Sequence, residues 1–109
     1  MYKRLLFSFL LSVLFAGCAQ EPRDTDIASV VALQQDYDGQ LVRVEGKVRK
    51  FDDPLHYWVE DNELNRIRLT PDEAAADHVD QPVQVTGHFR YDSEEGRRME
   101  VEELRPLKP

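Results

Sequence analysis

The chain has 109 residues, with 14 Lys and Arg against 21 Asp and Glu, and a formal net charge of −7. That length bounds it to one small domain, and the acidic balance disfavours nucleic acid as a partner, because phosphate binding draws on clustered cations. With a single cysteine there is no internal disulfide, so stability must come from a packed core.

Chain order begins with Lys3 and Arg4 as a short basic lead, followed by an apolar run from Leu5 to Phe15 broken only by Ser8 and Ser12. Ala16 and Gly17 then precede Cys18. A basic lead, a short apolar stretch and small residues at a cut are the marks of a secretory signal. The run is shorter than the ~20 apolar residues that span a bilayer. Leu14-Phe15-Ala16-Gly17-Cys18 resembles the lipobox of bacterial lipoproteins, with Phe15 where leucine is usual. The resemblance implies lipidation of Cys18, cleavage before it, and an anchor of several acyl chains, which exceeds the one-chain threshold for stable attachment. The alternative is an ordinary secretory signal followed by a stray cysteine. Ala19, where an aspartate would imply inner-membrane retention, implies an outer-membrane address facing the periplasm of a Gram-negative envelope. Cleavage would leave 92 residues with 12 basic and 21 acidic side chains, a net charge of −9. The expected organisation is a signal peptide over 1–17, the lipidated cysteine and a tether over 18–25, and a folded domain over 26–109.

Within that domain, Asp26 precedes Ile27, Val30, Val31 and Leu33, a helical spacing with an N-cap in front. Gly39 ends the segment. Leu41 to Phe51 alternates Val42, Val44, Gly46 and Val48 with Arg43, Glu45, Lys47 and Arg49, which predicts a long strand with one buried face. A glycine in mid-strand allows the coiling of a small barrel. Tyr57 to Glu60 and Leu64 to Leu69 read as the second and third strands, joined by a turn at Asp61-Asn62. Thr70-Pro71-Asp72-Glu73 has the layout of a capping box with proline at the first helical position, predicting a helix to about His78 or Val79. Pro82 to Tyr91 and Arg98 to Leu104 give the fourth and fifth strands, with a polar loop at Asp92 to Gly96 between them.

Element order, together with Asp38-Gly39, Val44-Glu45-Gly46, Trp58-Val59-Glu60-Asp61 and Val85-Thr86-Gly87, resembles the OB-fold. It is similar to the small OB-fold domains of exported bacterial proteins, including the periplasmic BOF group. The resemblance covers about residues 37–107 and implies a mainly β, five-stranded barrel. It places a helix between strands three and four and a short helix at the N-terminus. An SH3-like barrel is the runner-up, disfavoured by the expected helix before strand four.

The alternation puts Arg43, Lys47, Arg49, Arg66 and Arg68 on the outer face of the first three strands, around Trp58. Arg97 and Arg98 approach from the loop before strand five. OB domains bind along this face, with aromatics stacking and cations tracking anionic groups. The competing view is a solvated charged face. The compatible ligands are an anionic glycan, a lipid headgroup or an acidic patch on a protein partner.

His56, His78 and His88 match no zinc spacing, and the one thiol would be lipidated. The haem-bearing OB chaperones of cytochrome c maturation use a histidine near the C-terminus, which Glu102 to Pro109 lacks, so neither metal nor cofactor is expected. No nucleophile elbow, phosphate loop or dinucleotide glycine pattern occurs. The expectation is a non-catalytic binding module. Its alternative is a structural scaffold that docks a protein partner in an envelope complex.

Overall fold

The structure is a computed structural model that describes residues 20–108. The signal, the lipobox and Cys18 lie outside the described residues. Two short helices, α1 (Ile27–Ala32) and α2 (Gln34–Tyr37), precede most of a six-stranded mixed sheet. Its strands are β1 (Arg23–Asp24), β2 (Leu41–Asp52), β3 (Leu55–Glu60), β4 (Arg66–Thr70), β5 (Pro82–Asp92) and β6 (Gly96–Pro106).

The sheet closes in a ring because β2 has two neighbours. Its first half, Leu41 to Lys47, pairs antiparallel with β5, and its second half, Lys47 to Asp52, pairs antiparallel with β3. From β3 the ladder continues antiparallel to β4, parallel to β6 and antiparallel back to β5. One long strand serving both ends of a ring must coil sharply, and Gly46 lies at that change of partner. A Cβ there would stand 2.6 Å from the Glu60 carbonyl oxygen and 2.8 Å from Ile27 Cδ1. The missing side chain therefore lets β2 turn and lets α1 seat against the ring.

The inward rows match the alternation in the sequence. Val42, Val44, Val48, Val59, Ile67, Leu69, Val83, Val85, Phe89 and Met99 are fully buried, with Tyr57 close behind. Ile27 and Val30 of α1 join the same core. Asp26 caps α1 by accepting from the Ser29 backbone N–H at 2.8 Å; the Ser29 side chain and then this backbone bond lower the pKa of its carboxyl. The β5–β6 register slips between Thr86 and Gly87, leaving Glu102 as the extra residue of a bulge. The bulge turns Leu104 toward Val85 after Met99 and Val101 have faced Phe89 and Gly87.

Three expectations are corrected. The segment after β4 is not an α-helix but two 3₁₀ turns, Asp72–Ala74 and Ala76–His78. Thr70 makes no cap, because it ends β4 and its hydroxyl donates to the Met99 carbonyl at 3.2 Å. Only Ala75 of the alanine run is buried, too little apolar contact to hold a full helix against the ring. The sheet also has six strands rather than five. Part of the expected tether forms β1, pairing parallel with Val42 and Arg43. There it covers the edge of β2 that β3 does not reach, and Thr25 N–H donates to the Arg43 carbonyl at 3.1 Å.

Candidate functional site

Register brings one residue from each strand of the ring into a transverse row on the outside. Arg49 faces Trp58, Trp58 faces Arg68, Arg68 faces Arg98 and Arg98 faces Arg90. Each step is one strand spacing, about 4.8 Å. The inward neighbours of these residues, Val48, Val59, Leu69, Met99 and Phe89, are all fully buried. The row is therefore held from beneath by the core.

Around Trp58 this face dips into a groove of about 300 Å³ lined by His56, Trp58, Arg66, Arg68, Glu95 and Arg97. The Arg66 guanidinium lies over the Trp58 ring, 4.6 Å from its centroid. Trp58 Nε1–H donates to Glu60 Oε1 at 2.9 Å, and the same oxygen stands 3.7 Å from Arg66 Nη2. His56 borders the indole at 5.3 Å between centroids. Trp58 is thus less an open stacking platform than the base that orients Arg66, since one of its faces already carries a guanidinium.

Arg68 and Arg97 differ from their neighbours. Among the described residues, carboxylates pair with Arg43, Arg49, Arg66, Arg90, Arg98 and Arg105, and with neither of these two. Arg97 is steadied instead by a neutral partner, donating from Nη1 to Gln34 Oε1 of α2 at 3.3 Å. Arg98, the next residue, is neutralised by Asp92 at 3.1 Å and Glu95 at 3.6 Å. Asp92 accepts from the backbone N–H groups of Glu95 and Glu94 and from Arg98, and these bonds hold its carboxyl below the ordinary range. The loop before β6 therefore has a defined shape.

Of the side chains singled out in the sequence, the groove unites Trp58, Arg66, Arg68 and Arg97, whereas Arg98 lines the adjoining depression with Arg68 and Glu95. Arg49 stands at its margin, opposite Trp58 in register and paired with Asp80 at 3.6 Å. Lys47 faces a different depression, with Glu45, Glu60 and Asp61. Arg43 does not belong to the group. It lies where β2 runs beside β5 and β1, and it bonds Asp24 at 3.3 Å and Thr86 at 3.4 Å. Alternation shows which face a side chain takes, but a strand this long changes neighbours along its length. Glu95, also part of the groove, carries no sequence signal of its own and becomes visible only once the hairpins are paired, whereas His56 lies two residues before Trp58 on β3 and shares its face. Among the described residues no group of His, Cys, Asp or Glu is arranged to hold a metal ion. None of their helices is long and apolar enough to cross a membrane.

No family model and no curated protein matches the chain. Among solved structures, the hypothetical protein YgiW from E. coli superposes with a TM-score of 0.59 at 20% identity, covering 84% of this chain and 99% of that one. A DUF3299 family protein from Pseudomonas aeruginosa PAO1 gives a TM-score of 0.56 at 14% identity, covering 82% and 98%. At these identities the likeness is one of fold: the chain is similar to both proteins over nearly their whole length.

Proposed function

We propose that this chain is a lipid-anchored envelope protein whose domain is an OB-fold binding module for an anionic ligand. A ring of five principal strands, with β2 shared by β3 and β5 and a parallel β4–β6 pair, supports the OB reading. That fold binds ligands along its second and third strands and the loop between its last two, which here are β3, β4 and the Asp92–Gly96 turn. The observation that carries the function is the pair Arg68 and Arg97, two guanidiniums without carboxylate partners among the described residues, in a groove of an acidic domain. With Arg66 held on Trp58, they present fork-shaped donors suited to carboxylate or phosphate. The acids at the groove already serve Trp58, Arg66 and Arg98, which supports binding rather than catalysis. Lipidation of Cys18 would hold the module at the outer membrane, facing the periplasm, where the anion is a glycan carboxylate or a lipid headgroup phosphate.

The scaffold alternative draws on Phe51 and Leu55, exposed apolar side chains at the β2–β3 hairpin, which a protein partner would cover. Calorimetric titration of the protein in zwitterionic detergent with galacturonate and with glycerol phosphate separates these readings. A charge-assisted hydrogen bond contributes about 1.5–3 kcal/mol. Arg68→Gln should therefore weaken binding of the preferred anion about tenfold or more. Equal binding by parent and variant would refute the groove as the site.

A further inference from the structure

Beyond Arg68 the groove continues into a second lobe of about 450 Å³, lined by Arg68, Thr70, Glu94, Glu95 and Arg98. The two lobes share Arg68 and Glu95. In the first lobe the cations Arg68 and Arg97 have no carboxylate partner among the described residues. In the second, Arg98 is satisfied by the molecule itself: Asp92 holds it from the base of the loop, and Glu95 approaches its Nε at 3.6 Å with a side chain 69% exposed. Asp92 is built in by its backbone hydrogen bonds, whereas no hydrogen bond holds the Glu95 carboxylate among the described residues.

We propose that the site selects ligands with two anionic groups in line. The first would be taken by Arg66, Arg68 and Arg97, and the second would replace the Glu95 carboxylate on Arg98. The inference rests on the anion-binding reading above and adds the class of ligand and a residue that sets it. Arg68 and Arg98 are register partners on β4 and β6, so the two positions lie about one strand spacing apart. A ligand with one anionic group gains the first lobe alone. One with two gains Arg98 after displacing an exposed carboxylate whose hold is weak. Glu95 thus acts as an internal competitor: it costs a two-group ligand some affinity and keeps Arg98 from attracting small anions at random.

The test uses the protein in zwitterionic detergent, with two probe series to separate the sources of charge. Orthophosphate is compared with tripolyphosphate, and galacturonate with its linear trimer. In the matching series the longer probe should bind at least tenfold more tightly than the single group. Arg98→Gln should remove most of the advantage of the long probe over the short one, weakening the long probe several times more than the short. Glu95→Gln, at an exposed loop position where folding is not at stake, should tighten the long probe about two- to fivefold, the range of an exposed ion pair. Equal affinity for short and long probes, or a Glu95→Gln variant that does not bind the long probe more tightly, overturns the proposal. If short anions still bind through Arg68, the anion-binding reading stands without it. If no probe binds at all, both fall.

Discussion

Replacing Gly87 with alanine should be the most damaging single-methyl change in this domain. Gly87 faces Val101 beside the Glu102 bulge and is buried. A Cβ there would stand 2.3 Å from the Glu100 carbonyl oxygen, 2.9 Å from its carbon and 2.9 Å from Met99 Cγ. Met99 could rotate away, but the Glu100 carbonyl belongs to the β6 backbone and moves only if the ladder moves. Overpacking of this kind costs about 1–3 kcal/mol, and contact with backbone puts Gly87→Ala at the top, about 3 kcal/mol. For a domain this small, that is a fall in Tm of roughly 12–24 °C, out of a total stability of about 5–15 kcal/mol. Two other glycines calibrate the scale. At Gly46 the clash is partly with the flexible end of Ile27, so alanine there should cost about 2 kcal/mol. At Gly96 there is open space and only a φ of +74° to oppose alanine, worth about 1 kcal/mol. Urea unfolding followed by Trp58 emission, the only tryptophan signal, gives all three. A Gly87→Ala loss under about 1 kcal/mol, or a loss smaller than that of Gly96→Ala, would refute the close packing of β5 on β6.

Asp26→Ala should cost about 1 kcal/mol, because it removes the one side-chain cap of α1; urea midpoints at constant slope would show it. Burial would raise the Asp61 carboxyl, but bonds from the Asn65 side chain and from the Asn65 and Glu63 backbone outweigh it, and its pKa is lowered from 3.8. A depressed folded pKa stabilises above the unfolded value and is lost as pH falls through the folded one. Acid unfolding of Asp61→Asn should accordingly be less steep below pH 3.8 than that of the parent; identical acid limbs would contradict it. Cys18→Ser should move the protein from the membrane to the soluble fraction, and unchanged fractionation would contradict the anchor.

The inward rows of β2, β3, β4 and β5 were legible because each alternates cleanly, and burial on one side of a closed sheet leaves no other register. The Asp26 cap and the Gly39 stop were legible for a different, local reason, since each rests on the chemistry of one residue beside a helix end. The capping box at Thr70 misled because Thr70 had a better use at the end of β4, where its hydroxyl meets Met99 across the sheet. A two-residue strand such as Arg23–Asp24 has no period to detect. At the site, Trp58, Arg66 and Arg68 could be placed together from alternation and adjacency along two consecutive hairpin strands. The exclusion of Arg43 and the inclusion of Glu95 could not, since both depend on which strand lies beside which.

The most direct measurement of the central claim is Trp58 emission during separate titrations with tripolyphosphate and with the galacturonate trimer, at low and at high salt. The indole carries Arg66 on its face and borders Arg68 and Arg97, so an anion drawn to these guanidiniums must change its surroundings. The account predicts a saturable change that weakens as salt rises and disappears in Arg68→Gln. An emission spectrum that does not change with either probe up to millimolar concentration at low salt would contradict it.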